Sequence, residues 1–91
     1  MSSSHIWRPR LASRARLKFD SVANQEMLLF PEAALLLNET GAEIVRLCDG
    51  ERSTEQIIDS LAEKFRVADR DTLRIEAEKF LEAIRARGLL Q

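Results

Sequence analysis

The stretch Leu28-Leu29-Phe30-Pro31-Glu32-Ala33-Ala34-Leu35-Leu36-Leu37-Asn38-Glu39-Thr40-Gly41 decides how this chain folds. Met27 to Phe30 is a short continuous apolar run, and Pro31 ends it because proline has no N–H to give a strand ladder. Glu32 and Ala33 lead into a second apolar run, Ala34 to Leu37, so Pro31-Glu32 reads as the turn of a tight hairpin. Asn38 is a good helix N-cap, and Glu39 complements the partial positive charge of a helix start. A strand apolar on both faces needs two partners. In so short a chain the core covers one face of the ribbon, and the other face and the free edge are left for something else.

Toward the N-terminus the pattern alternates. Ala15, Leu17 and Phe19 fall on one face and Arg16, Lys18 and Asp20 on the other, the period of a half-buried strand, with Ser21 to Gln25 as the following turn. Toward the C-terminus, helix one is expected to run to about Cys48 on a stripe of Ala42, Ile44, Val45, Leu47 and Cys48, and to end at Asp49-Gly50. Ser53 and Gln56 have capping-box spacing and open helix two, which runs to about Phe65. Its inner face is Ile57, Leu61 and Phe65 with Ile58 and Ala62, and Glu55, Asp59 and Glu63 lie outside. Asp69 or Asp71 caps helix three. There Leu73, Ala77, Phe80, Leu81 and Ile84 fall within about 100° on a wheel until Gly88, after which Leu89 and Leu90 fold back. The expected fold is α+β and mostly helical, with three short N-terminal antiparallel strands followed by three helices. The tight turn around Arg66 to Ala68 makes it winged helix-turn-helix-like.

With 91 residues there is room for one domain and one thin core. That domain is expected over residues 12–91. Residues 1–11, with Ser2, Ser3, Ser4 and Pro9, read as a mobile N-terminal arm in which Trp7 either docks on the body or meets a partner. A composition of 45% hydrophobic and 32% charged residues suits a folded helical domain rather than a disordered chain. No apolar run reaches the roughly 18 to 20 residues of a membrane span, and the N-terminus lacks the apolar core of a secretory signal, so the chain reads as cytoplasmic with no membrane partner. Cys48 is the only cysteine and His5 the only histidine. An internal disulfide is therefore impossible, and neither a protein-only metal site nor a cofactor is expected. The net charge of −1 hides an asymmetry, because Arg8, Arg10, Arg14, Arg16 and Lys18 against Asp20 make residues 1–20 net +4.

These features narrow the function. A DNA-recognition helix needs a basic face, whereas helix two carries Glu55, Asp59 and Glu63 and helix three carries Glu76, Glu78 and Glu82. No nucleic acid partner is expected. No carboxylate stands beside a His, a Cys or a second carboxylate in a stretch resembling a pocket, so no catalytic residue is assigned and the chain does not read as an enzyme. His5 reads as solvent-exposed and Cys48 as buried and inert. The apolar hairpin remains. If Leu35 and Leu37 face the helices, Ala34 and Leu36 face away, and the strand edge offers its backbone to an incoming strand. Five or six such bonds, each worth about 0.5 to 1.5 kcal/mol net, support modest affinity. The incoming strand is either a foreign peptide or a second copy of the chain.

Several quoted runs together resemble a known family: Arg16-Leu17-Lys18-Phe19-Asp20, Leu28-Leu29-Phe30-Pro31-Glu32, Leu37-Asn38-Glu39-Thr40, Leu47-Cys48-Asp49-Gly50 and Thr54 with Ile57. In this order and spacing they look like the PqqD family of pyrroloquinoline quinone (PQQ) biosynthesis, from about Pro9 to Leu90. The resemblance implies a non-catalytic peptide chaperone, a RiPP recognition element. Such a protein binds the ribosomal precursor peptide PqqA and presents it to the radical S-adenosylmethionine (SAM) enzyme PqqE, which cross-links a Glu and a Tyr of the precursor. It implies that the peptide lies along Ala33, Ala34, Leu35, Leu36 and Leu37 and against helix three, where Ile75 and Lys79 are candidate contacts. Ile75 is either such a contact or a stray exposed side chain, and Arg74, Arg85 and Arg87 occupy another flank. The expected state is a monomer in dilute solution, with an edge-mediated homodimer as the alternative. The competing reading of the whole chain is a winged-helix DNA-binding regulator or a homodimeric assembly subunit.

Overall fold

The computed structural model describes residues 6–91. Its order is β1 (Arg16–Asp20), β2 (Gln25–Phe30), β3 (Ala33–Leu37), α1 (Glu39–Leu47), α2 (Thr54–Lys64) and α3 (Arg70–Ala86). The strands form one antiparallel sheet in the order β1-β2-β3, so β1 and β3 are its edges. This is the α+β winged-helix architecture expected from the sequence. Leu17 pairs with Leu28 and Leu28 with Leu35, which aligns the inward side chains of all three strands. Both hairpin turns use the left-handed region, at Asn24 (φ 56°) and at Glu32 (φ 68°), directly after Pro31. Proline sets the first turn position and the second must then curl back.

The inward sheet face packs on α1, and α2 and α3 close the other side. Leu28, Ile57, Ile58, Leu61, Leu73, Leu81, Ile84 and Leu89 are all within 2% of complete burial, and Gly41, Ala42, Ile44, Val45 and Leu47 of α1 are buried with them. Phe19 departs from the expected alternation: it is on the inward side but 52% exposed. The reason is reach, because α1 packs on β2 and β3 and leaves the far end of β1 uncovered.

Each helix start is capped as its sequence predicts. The Asn38 side chain accepts from the Gly41 N–H, Ser53 and Gln56 form a reciprocal capping box, and Asp69 rather than Asp71 caps α3. Gly88 (φ 73°) ends α3, and Leu89 folds back so that its N–H reaches the Ile84 carbonyl.

Residues 9–12 are tied to the body rather than free. The Leu11 N–H donates to the Cys48 carbonyl, the Ala12 N–H to that of Leu89, and the Gly50 and Gln91 N–H groups to the carbonyls of Pro9 and Arg10. Pro9 is buried, and Trp7 packs against the core with the Arg85 guanidinium 4.9 Å above its ring. The segment read as an arm thus ends earlier than residue 11. Backbone groups that have no helix or strand of their own find partners at the end of α1 and in the C-terminal tail. The arm's first five residues, His5 among them, lie outside the described residues.

Ion pairs lace the outer faces of the helices. Glu55 accepts from Arg74 at 2.6 Å and from Arg70 at 3.1 Å, and Arg70 also reaches Asp59, which joins α2 to α3. Its hydrogen bonds to Arg74 and then Arg70 hold the Glu55 carboxyl down at about 2. Burial pushes the Glu43 carboxyl up, but Lys64 and Arg46 outweigh it and leave the group below its ordinary value.

Two outcomes are expected. Ser53→Ala should cost about 1 kcal/mol, lowering Tm by roughly 4 to 8 °C in a thermal melt. Because Glu55 titrates lower when folded, its contribution is complete above its ordinary pKa of 4.5 and is lost as pH falls through about 2. Melts between those limits should therefore show Tm falling with pH. Glu55→Gln should flatten part of that slope at low salt and less at high salt, since the pair is exposed and screened.

Candidate peptide-binding groove

β3 is an edge strand, and in an antiparallel ladder every second residue directs its N–H and C=O away from its one partner. Those groups of Ala33–Leu37 have no neighbouring strand among the described residues. Beside the edge stands α3. Leu35, Leu36, Leu37, Asn38 and Phe80 line a depression of about 220 Å³. A second of about 300 Å³ is lined by Asn38, Thr40, Gly41, Ile44, Glu76, Lys79 and Phe80. Asn38 and Phe80 belong to both, so the two form one groove with β3 as one wall and α3 as the other.

Gly41 allows this groove to close at its base. A Cβ there would lie 3.3 Å from the edge of the Phe80 ring and 3.2 Å from the Asn38 side-chain oxygen. The ring sits where a side chain would otherwise be. Asn38 in turn is held by its capping bond from the Gly41 N–H at 2.7 Å, and the Gln25 side chain donates to the Leu37 carbonyl at 3.2 Å.

The sequence-expected contacts separate into groups. Leu37 is buried and Leu35 half-buried on the helix side, while Ala34 and Leu36, the latter 53% exposed, face away. Lys79 lines the groove with Phe80. Ala33 lies at the opposite end, in a depression with Pro31, Arg14 and Arg16. Ile75 is 58% exposed but is not among the lining residues, so the structure does not bring it to the others. Of the arginine flank, Arg74 is engaged by Glu55 and Arg85 lies over Trp7.

Phe80, Asn38, Thr40, Gly41 and Glu76 line the groove without having been expected there. Phe80 reads as core on the wheel because it sits at the margin of the buried stripe, four residues after Glu76. Gly41 did carry a signal, since a glycine inside a helix costs about 1 kcal/mol against alanine and calls for a close approach.

This geometry is that of a winged-helix recognition domain with an open strand edge. Residues 26–90 match the family model described as Coenzyme PQQ synthesis protein D (PqqD). The chain is 38% identical over 90 residues to a PqqA binding protein of Rhodopseudomonas palustris (strain TIE-1), covering 99% of this chain and 87% of that one. It is also similar to the solution NMR structure of the PqqD truncation of Methylobacterium extorquens PqqCD, described as a functional and stand-alone RiPP recognition element. That match has a TM-score of 0.76 and 29% identity over 91% of this chain and 87% of the other. The crystal structure of PqqD from Xanthomonas campestris matches with a TM-score of 0.61 and 27% identity over 99% of each chain. The chain belongs to the PqqD family, and it is a non-catalytic member of it.

The one thiol of the chain is buried. Cys48 is 5% exposed, and burial, with the neighbouring Asp49 charge adding to it, pushes the thiol up to about 12. A thiolate is the nucleophile, and almost none forms near neutral pH. Titrating the native protein with a thiol-reactive disulfide at pH 8 should leave Cys48 unmodified over the time in which the same protein in denaturant reacts fully. Rapid labelling of the folded protein would contradict the burial.

Proposed function

We propose that this protein is a cytoplasmic peptide chaperone of PQQ biosynthesis, binding a PqqA-type precursor peptide and presenting it to a PqqE-type radical SAM enzyme. The peptide adds as a fourth strand along Ala33–Leu37, with alternate side chains entering the groove between β3 and α3. The observation that carries this reading is the juxtaposition of an unpaired strand edge with a groove floored by Phe80. Backbone bonds along the edge supply affinity, and the Leu35, Leu37 and Phe80 side chains select apolar residues at alternate positions. The similarity to a protein named for PqqA binding supports the identity of the peptide.

Ile75, exposed and one helical turn from Lys79 but outside the groove lining, extends the peptide or enzyme contact along α3. Free protein is monomeric in dilute solution because the same edge, only five residues long, gives a self-pairing strand little to bury. No helix among the described residues is long and apolar enough to cross a membrane. The exposed charges of α2 and α3 are tied to one another through Glu55, Asp59, Arg70 and Arg74, which leaves that surface poorly suited to phosphates.

Isothermal titration of the precursor peptide into the protein tests the reading. The native chain should bind one peptide per monomer. Leu36→Asp should weaken binding by about tenfold or more, because it sets a charge against the cross-strand neighbours of the added strand. Leu36 is half exposed, so circular dichroism should show an intact fold. Unchanged affinity in that folded variant would refute the edge-addition model.

A further inference from the structure

The groove beside β3 is electrically lopsided. Its Asn38 end has Glu39 next along the chain and Glu76 in its lining, with Lys79 between Glu76 and Phe80. The separate depression at the Ala33 end of β3 is different. There Arg14 and Arg16, with Leu29, Phe30, Pro31, Glu32 and Ala33, line a depression of about 370 Å³ in which Glu32 is the one carboxylate.

Arg14 is fixed in place. Its guanidinium donates to the Gly88 carbonyl at 2.7 Å and to that of Arg87 at 3.4 Å, where the end of α3 favours a cation. This bond places the end of α3 beside Arg14, which lines the same depression as Ala33. On α3, Glu76, Phe80, Ala83 and Arg87 recur at spacings that place them on one face. Glu76 and Phe80 line the groove, and Arg87 follows on that face about two turns beyond Phe80, with its backbone carbonyl at the Arg14 guanidinium. None of Arg14, Arg16 and Arg87 joins an ion pair; the ion pairs of the described residues engage Arg46, Arg52, Lys64, Arg70 and Arg74 instead.

We infer that this charge gradient sets the direction and register of the bound peptide. An acidic side chain of the docked strand lies at the Ala33 end against Arg14, Arg16 and Arg87, and the peptide's neutral or basic portion lies toward Glu39 and Glu76. Exposed pairs are individually weak and screened by salt. Direction, however, depends on a difference: a reversed peptide loses attraction at one end and meets like charge at the other. Backbone bonding along a strand edge distinguishes two directions poorly, so charge is left to decide. The inference rests on the peptide-binding reading above and adds a specificity element to it.

The test uses the full chain and Arg16→Glu/Arg87→Glu. Both side chains are exposed and unpaired, and Arg14 is kept because it secures α3. The probes are a PqqA-type precursor peptide and the same peptide with every Asp and Glu replaced by Asn and Gln. The acidic peptide should bind the native protein more tightly than the neutral one, with the difference shrinking at high salt. The double variant should lose about tenfold for the acidic peptide and keep its affinity for the neutral one. A spin label at the peptide's acidic end should broaden the Ala33 amide signal and spare that of Asn38.

Equal weakening of both peptides, no weakening of either, or broadening at Asn38 would overturn the inference while leaving peptide binding intact. If neither peptide binds the native protein, the peptide-binding reading itself fails and the inference goes with it.

Discussion

The burial of α1 is the constraint on which the rest of the molecule depends. This nine-residue helix packs against β2, β3, α2 and α3, and its buried face is made of Gly41, Ala42, Ile44, Val45 and Leu47. Its two ends are also the points where other segments are secured. At the N-terminal end, the Asn38 cap fixes the angle at which β3 turns into the helix. At the C-terminal end, the Cys48 carbonyl receives the Leu11 N–H and so draws the N-terminal segment onto the domain. Loss of α1 packing would therefore release the sheet, the groove and the N-terminal strap together.

The open edge follows from the same economy of size. One small core covers one face of a three-stranded sheet, and α1 reaches only two of the strands. β3 is consequently held firmly on its inner side, through Leu37 and Leu35, while its outer backbone is free. A strand edge of this kind is normally a liability for aggregation. Here it is only five residues long, and Phe80 of α3 lines a depression beside it.

Charge is divided in a way that suits that arrangement. The acidic residues of α1 and α2 are largely held by Arg46, Lys64, Arg70 and Arg74, which stitches the helical side together. Arg14, outside those ion pairs, joins the N-terminal segment to the end of α3 through the Arg87 and Gly88 carbonyls. Those pairs tie α2 to α1 and α3, while Arg14 and Arg16 line the depression at Ala33 outside any ion pair of the described residues.

Much of this was legible from local chemistry. Pro31, the Asn38 cap, the Ser53 and Gln56 box and the periodicity of each helix are short-range features, and they determined the element order and the core. The edge of β3 was legible too, since Ala34 to Leu37 is apolar on both faces. Tertiary structure alone decided what stands beside that edge. Phe80 reads as core by periodicity and becomes the groove floor only because Gly41 lets its ring approach α1. Ile75 reads either as a contact or as a stray exposed side chain, and only the packing of α3 shows that Glu76 and Lys79, not Ile75, line the depression beside Phe80. Likewise, Pro9 to Ala12 carry no strand pattern, and they are bound because unpaired backbone groups at the end of α1 and in the C-terminal tail happen to lie opposite them. Local sequence sets what each segment is, but distances between segments far apart in the chain are set by how their side chains fill one core, which no single stretch encodes.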